Sequence, residues 1–276
     1  MDVSVLILTL DEEVNLGRCL DSLAWCDDIV VLDSFSSDRT EEIVCDAGAR
    51  FVQRVFDDYA SHRNFGLSEI EYGHPWVLMV DADEVVPPEL KEEIERETGS
   101  CDKDVALFRM RRKDYLMGRW IRRSGGYPTW FGRLARVGQV RVVRAINEEY
   151  RADGTIQILR GHLHHYPFNK GFDAWFEKHN RYSAMEAAAI VRGEAHRIPW
   201  SDLRAADPAD RRRAAKRLIY ALPARPLIVF LGLYIFRGGF LEGRAGLIFS
   251  ALRAIYEFMI DCKVRELERR KKGLPL

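Results

Sequence analysis

Over the first hundred positions the apolar residues fall in short unbroken runs separated by polar stretches. VSVLIL (3–8), DIVVLD (28–33), RFVQRV (50–55) and PWVLMV (75–80) have the length and β-branched content of strands covered on both faces. Between these runs the period changes. Leu16, Leu20 and Leu23 recur at helical spacing in EVNLGRCLDSLAW. SSDRTEEIVCDAGA opens with capping-type residues, carries acids in its first turn and ends near Gly48. YASHRNFGLSEIEYG (59–73) reads as a third helix. Such alternation predicts a doubly wound α/β domain with a mostly parallel sheet, and ligands of these sheets bind beyond the carboxyl ends of the strands.

From about Val105 the runs shorten and fill with arginines and aromatics, as in ALFRMRRKDYLMGRWIRRSGGYPTWFGRLARV. This stretch reads as antiparallel strands and loops that complete the sheet and cover a site. Trp120 or Trp130 is a candidate to present a flat ring to a ligand, and Arg122, Arg123 and Arg133 to meet phosphates bidentately; Gly125–Gly126 suggests a mobile loop. HNRYSAMEAAAIVRG (179–193) is helical in pattern, and SDLRAADPADRRRAAKR (201–217) is a basic linker or a helix on a surface.

The tail has a different pattern. PLIVFLGLYIF offers eleven apolar or glycine positions, fewer than the roughly 20 a bilayer-spanning helix requires. In the following 238–261 stretch, Glu242, Gly246, Ser250, Arg253, Glu257 and Asp261 form a narrow polar stripe on an otherwise apolar helix, and KVRELERRKKG closes the chain with basic charge. A wide apolar face flanked by cations suits a helix lying in an anionic membrane interface; the alternatives are a core helix or a contact with a second copy in a homo-oligomer.

The net charge of zero hides a polarity: residues 1–104 carry 26 acids and 8 bases, and the remainder 16 acids and 34 bases. A basic half facing an anionic partner follows, but no recognition motif for nucleic acid accompanies it. Five scattered cysteines without a CxxC pair argue against a disulfide framework and suit a reducing compartment. MDVSVLILTLDEE has no basic leader and reads as a first strand, so the expected location is cytoplasmic, peripheral on the inner face of the plasma membrane.

Acids follow three of the strands: LTLDEE after the first, DSFSSD after the second and DADE after the fourth. In a parallel sheet these clusters converge on one rim. Asp81 and Asp83 alternate on an extended segment and so address one side, and hard oxygen ligands suit Mg²⁺ or Mn²⁺ shared with substrate phosphates. Pro87 and Pro88 end the strand, and Glu89 opens a helix.

The ordered set ILTLDEEVNLGRCLDSL, IVVLDSFSSDRTEEI, HRNFGL and WVLMVDADE resembles the family 2 glycosyltransferases of the nucleotide-diphosphosugar (GT-A) fold. Within that family the chain looks most like bacterial lipopolysaccharide core glucosyltransferases, through GRW, INEEY, LHHY and HNRYSAMEA into the tail. The resemblance implies a catalytic domain over 1–200, with a nucleotide-binding half (1–104) and an acceptor half (105–200); the basic, amphipathic pattern of 201–276 marks it as a membrane-associating helical region. It implies a donor-binding set of Thr9, Leu10, Asp11, Asp33, Arg63, Asp81, Ala82 and Asp83, with Asp33 facing the uracil N–H and Arg63 near base or phosphate. Asp81 and Asp83, joined by His165, would hold the metal.

Inverting transfer also requires a carboxylate that takes the acceptor's hydroxyl proton. Relatives carry a His-Glu pair where this chain has Asn147 and Glu148, so Glu148 is the implied base, with Glu149 as the alternative. The function implied is transfer of a hexose, glucose by resemblance, from a UDP-sugar to a lipid-linked or lipopolysaccharide-core glycan. Competing readings are a nucleotidyltransferase, whose glycine- and arginine-rich phosphate loop LTLDEEVN lacks, and a noncatalytic membrane-associated nucleotide-binding scaffold.

Overall fold

The computed structural model describes residues 1–143, 149–193 and 224–276. They form two compact bodies, one of residues 1–115 and 127–169, the other of residues 116–126 and 170–276. The first body ends at residue 169. The stretch 201–217 lies outside the described residues.

The first body is built on β1 (Val3–Thr9), β2 (Ile29–Asp33), β3 (Arg50–Gln53), β4 (Trp76–Asp81), β5 (Glu84–Val85) and β6 (Val105–Leu116). The short β7 (Arg119–Trp120) belongs to the second body. β8 (Trp130–Arg136) and β11 (Thr155–His165) complete the main sheet, and β9 (Val140–Val142) pairs with β10 (Tyr150–Ala152) in a separate hairpin. The main sheet runs in the order β3-β2-β1-β4-β8-β6-β11-β5. β1, β2, β3 and β4 are mutually parallel, and β8 is antiparallel to both β4 and β6. β11 is parallel to β6 and antiparallel to β5, so β6 and β11 point the same way as β4.

Unbroken apolar runs are needed because both faces of the sheet are covered. Val3, Val5, Ile7 and Leu78 pack with Leu16 and Leu20 of α1 (Leu16–Asp21) and Leu90 and Ile94 of α4 (Pro88–Ser100). The alternate positions Leu6, Val30, Leu32 and Met79 pack on the other face with Leu67 of α3 (Tyr59–Ser68). Helix α3 lies so close to β1 that a Cβ on Gly66 would come 2.5 Å from Leu6 Cδ2. α2 (Thr40–Asp46) links β2 to β3.

In the second body, α5 (Gly171–Val191) packs along the last helix: His179 meets the Tyr256 ring at 5.1 Å, and Lys263 Nζ donates to Asn180 Oδ1 at 2.6 Å and Ser183 Oγ at 2.7 Å. These contacts group α5 with the tail. α6 (Arg225–Leu231) runs into a π-helical turn (Gly232–Phe236) and a 3₁₀ turn (Gly239–Glu242), then α7 (Gly243–Lys271). The polar stripe of α7 faces inward: Glu242, Gly246, Ser250 and Glu257 are buried, whereas Leu247, Ile255 and Phe258 are exposed. Ser124 N donates to Glu242 at 3.1 Å, and Arg225 pairs with Glu257 at 3.1 Å. Gly246 is required, since a Cβ there would lie 2.0 Å from the Gly239 carbonyl oxygen.

The amino edge of the sheet is tied by Asp28, which accepts from Ser4 Oγ at 2.5 Å, Gly73 N at 2.8 Å and Arg50 Nη2 at 2.7 Å. Burial opposes its charge, but Ser4, Gly73 and Arg50 outweigh burial and hold the carboxyl below its ordinary value. The stabilisation is thus complete above the unfolded-chain pKa of about 4 and is lost as pH falls through the lower folded value. Asp28→Asn should lower stability at neutral pH by about 1–3 kcal/mol in urea denaturation, with the gap from wild type closing in acid.

Candidate active site

The strand register brings three of the expected residues side by side at the carboxyl edge. Thr9 pairs with Asp33 across β1 and β2, and Leu8 pairs with Asp81 across β1 and β4. β11 ends at the same edge, which places His165 there too.

Asp33 is fully buried and anchors the first two loops. Its carboxylate accepts from Thr9 Oγ1 at 2.9 Å, Ser36 N at 2.8 Å and Gln53 Nε2 at 3.3 Å. Asp11, at a left-handed φ of 53°, accepts from Ser37 N at 2.7 Å while its own N–H donates to Ser36 Oγ at 2.8 Å. Glu12 N and Glu13 N donate in turn to Thr40 Oγ1 and Asp38, both at 2.9 Å. The loops after β1 and β2 are therefore one stitched surface, from which Leu10 projects half-exposed.

Beyond β4, acids and arginines interlock. Asp81 accepts from Arg63 Nη2 at 2.7 Å and from Arg133 Nη2 at 2.6 Å, and Arg133 also reaches the fully buried Glu84 at 2.7 Å. Arg112 lies 3.4 Å from Glu84 and donates through Nε to Asp114 at 2.9 Å. Glu84 closes the DADE turn by accepting from Asp81 N at 3.0 Å. Burial disfavours the Asp81 charge, yet Arg133 and Arg63 outweigh it and hold the carboxyl well below the usual carboxylate range. For Glu84 burial wins: desolvation, aided by the Asp81 charge, pushes it up against the pull of Arg133 and Arg112.

Asp83 leaves this network on the other side of the turn, while Ala82 between the two acids is buried. Asp83 Oδ2 lies 3.2 Å from His165 Nε2, and Asp114 Oδ1 lies 2.6 Å from His165 Nδ1. Burial and Arg112 push the imidazole down, but Asp83 and Asp114 outweigh both and raise it to about 9. The chemistry of this donor set fits a divalent cation. A carboxylate oxygen faces an imidazole nitrogen, and the second ring nitrogen is fixed by a carboxylate, the usual way a ligating histidine is oriented. Among the described residues no group of three or more His, Cys, Asp or Glu side chains is gathered for a metal, so an ion held by Asp83 and His165 would complete its shell with water and phosphate oxygens, as Mg²⁺ commonly does.

The expected residues have the following surroundings. Asp81, expected on the metal with Asp83, has both oxygens on guanidinium groups. Arg63 reaches the site as the partner of Asp81. Arg133, expected to face acceptor phosphates, is buried in the ion-pair network because Asp81 and Glu84 leave it no better position. Trp130 meets the Arg111 guanidinium at 4.9 Å, and Trp120, Arg122 and Arg123 lie in the second body. His162 and His164 have partners other than His165: the first meets Tyr127 Oη at 2.9 Å, the second the Tyr115 ring at 5.4 Å. Glu148 lies outside the described residues, and the alternative Glu149 is exposed beside the β9–β10 hairpin, its carbonyl accepting from Val143 N at 2.9 Å. Sequence reasoning missed the parts played by Arg112 and Asp114; the one signal was their alternate spacing at the end of a strand facing LHHY.

The family model described as Glycosyl transferase family 2 matches residues 4–167, the sheet from β1 through β11, and the chain belongs to that family. Its fold is the GT-A nucleotide-diphosphosugar transferase fold. Among similar proteins is the lipopolysaccharide core biosynthesis glycosyltransferase LpsC of Rhizobium meliloti (strain 1021), 29% identical over 96% of this chain and 92% of that one. An uncharacterized glycosyltransferase of Rickettsia typhi is 23% identical over 99% of this chain and 89% of that one. Among solved structures, glucosyl-3-phosphoglycerate synthase from Mycobacterium tuberculosis, in complex with Mn²⁺, UDP and glucosyl-3-phosphoglycerate, aligns over 41% of this chain and 43% of that one at 23% identity, with a TM-score of 0.33.

The interlocked network gives its own prediction. Arg133→Met strands Asp81 and Glu84 in a buried setting and should cost about 3–5 kcal/mol in urea denaturation. Arg133→Lys, which keeps the charge but loses the two-pronged donor, should fall between that variant and wild type.

Proposed function

We propose that this family 2 glycosyltransferase is a metal-dependent, inverting enzyme that moves a hexose, glucose by resemblance, from a UDP-sugar to a lipid-linked or lipopolysaccharide-core glycan. The observation that carries this reading is the 3.2 Å approach of Asp83 to His165, with Asp114 behind the ring, at the edge where Thr9, Asp33 and Asp81 also end. The acceptor class draws support from the likeness to LpsC along nearly the whole of both chains.

Each residue then has a task. Asp83 and His165 would hold the divalent cation, which when bound neutralises charge on the departing diphosphate. Asp114 orients His165, and Arg63 and Arg133 fix the turn that aims Asp83. Thr9, Leu10, Asp11 and Asp33 form the nucleoside side of the donor cradle, with Ala82 beneath. Glu148, or Glu149 in its place, takes the proton of the acceptor hydroxyl as that oxygen bonds to the anomeric carbon. The carbon–oxygen bond to the diphosphate breaks on the opposite face, UDP carries away the electron pair, and the configuration inverts.

UDP release from a panel of UDP-sugars, with and without Mn²⁺, tests the reading. One donor should give slow metal-dependent release even without acceptor. Asp83→Ala should lower that rate about a hundredfold or more, and undiminished turnover would remove Asp83 from the mechanism. With acceptor present, Glu148→Gln should lower turnover about 10²–10⁴-fold while UDP still binds. The same loss in Glu149→Gln, with Glu148→Gln active, would move the base by one residue.

A further inference from the structure

Within the second body, α6 and α7 turn an ion pair inward and large apolar side chains outward. Arg225 and Glu257, among the most hydrophilic side chains of α6 and α7, are 2% and 4% exposed and pair at 3.1 Å, with Asp261 taking a second contact from Arg225 at 2.9 Å. The outward positions carry Leu227, Leu231 and Ile235 at four-residue spacing along α6 and its π-helical turn, and Leu247, Ile255 and Phe258 along α7. Between Leu227 and Phe258 opens a groove of about 480 Å³. Leu252, Tyr256 and Ile260 are buried beside that ion pair, but an apolar outer face over an inward-facing ion pair is an arrangement helices adopt against hydrocarbon, where ionised groups must face one another.

The elbow between α6 and α7 adds the charge that selects a partner. Phe236 is 85% exposed, and Phe240 and Leu241 follow it at the tip, about half exposed. Two arginines reach this elbow: Arg119 Nη2 donates to the Leu241 carbonyl at 3.1 Å and Arg237 Nε donates to the Arg123 carbonyl at 2.9 Å; Arg122, three residues after Arg119, and Arg244, three after Leu241, are exposed. No single described helix is long and apolar enough to cross a bilayer; Arg225–Phe236 and Gly239–Lys271 reach that length and composition only together, bent by 68°. An apolar tip with arginines beside it matches the boundary between acyl chains and anionic phosphates.

We propose that this elbow and the outward face of α6 and α7 are the protein's docking surface for an anionic lipid bilayer. Phe236, Phe240 and Leu241 enter the acyl boundary, and Arg119, Arg122, Arg237 and Arg244 meet lipid phosphates. The seat is the elbow itself and not the basic tail that ends the chain. Nothing in this assignment depends on the sugar-transfer reading.

Sedimentation of the full chain with vesicles of phosphatidylcholine and phosphatidylglycerol, beside vesicles of phosphatidylcholine alone, tests it. Wild type should sediment with the mixed vesicles and release as salt is raised. Phe236→Ser with Leu241→Ser should weaken binding at least about tenfold, and Arg122→Glu with Arg244→Glu should weaken it about tenfold and flatten the salt dependence. Phe236→Trp, which keeps the tip apolar, should give added emission that acyl-brominated lipid quenches. Wild type staying in the supernatant, serine variants sedimenting undiminished, or added emission that brominated lipid leaves unquenched in the Phe236→Trp protein would each overturn the proposal. So would dimers that the same serines break in a protein that does not sediment, since a second copy would then cover the face.

Discussion

Four carboxylates, on Asp81, Asp83, Glu84 and Asp114, crowd the end of β4 and the strands beside it, and their mutual repulsion must be answered before anything can bind there. Arg133 provides the central answer. From a buried position on β8 it spans Asp81 and Glu84, while Arg63 takes the far side of Asp81 and Arg112 joins Glu84 to Asp114. Removing charges from water is costly unless each is paired at good geometry, and bidentate guanidinium groups supply that geometry. With Asp81 and Glu84 committed to guanidinium groups, Asp83 is the acid of the DADE turn that faces His165, across the ring from Asp114. The DADE turn thus sorts its acids, the outer ones held by guanidinium groups and the middle one facing an imidazole.

The two bodies solve burial in opposite ways. In the first, the sheet is apolar on both faces and its charge is concentrated at the carboxyl edge, where strand ends leave room for a ligand. In the second, the Arg225–Glu257 ion pair is inside with Leu252 and Ile260, while Leu227, Phe236, Ile255 and Phe258 are outside. The proposed pairing of a soluble donor with a lipid-attached acceptor calls for one protein that tolerates both environments, and the reversal of polarity near residue 170 suits that demand.

The parallel sheet was legible because doubly covered strands leave an unmistakable run of β-branched residues, and the convergence of Thr9, Asp33 and Asp81 followed from strand direction alone. The direction of Arg133 was not legible. An arginine on a strand near aromatics reads as a phosphate contact unless its cross-strand neighbours are known, and those neighbours, Asp81 and Glu84, lie about fifty residues earlier. The stripe Glu242–Gly246–Ser250–Glu257 was visible as a stripe, but its inward orientation depends on Ser124 and Arg225, whose pairing no local pattern encodes. The grouping of α5 with the tail was hidden for the same reason: it is set by Tyr256 and Lys263, far along the chain.

The central claim is that the arginine-held turn aims Asp83 at His165 so that the two share a cation with the donor diphosphate. Pulsed electron paramagnetic resonance of the Mn²⁺–UDP complex reads this directly. The account predicts a ¹⁴N coupling from one imidazole bound to manganese, present in wild type and absent in His165→Gln. A manganese spectrum without a coordinated nitrogen, or one unchanged by His165→Gln, would contradict it.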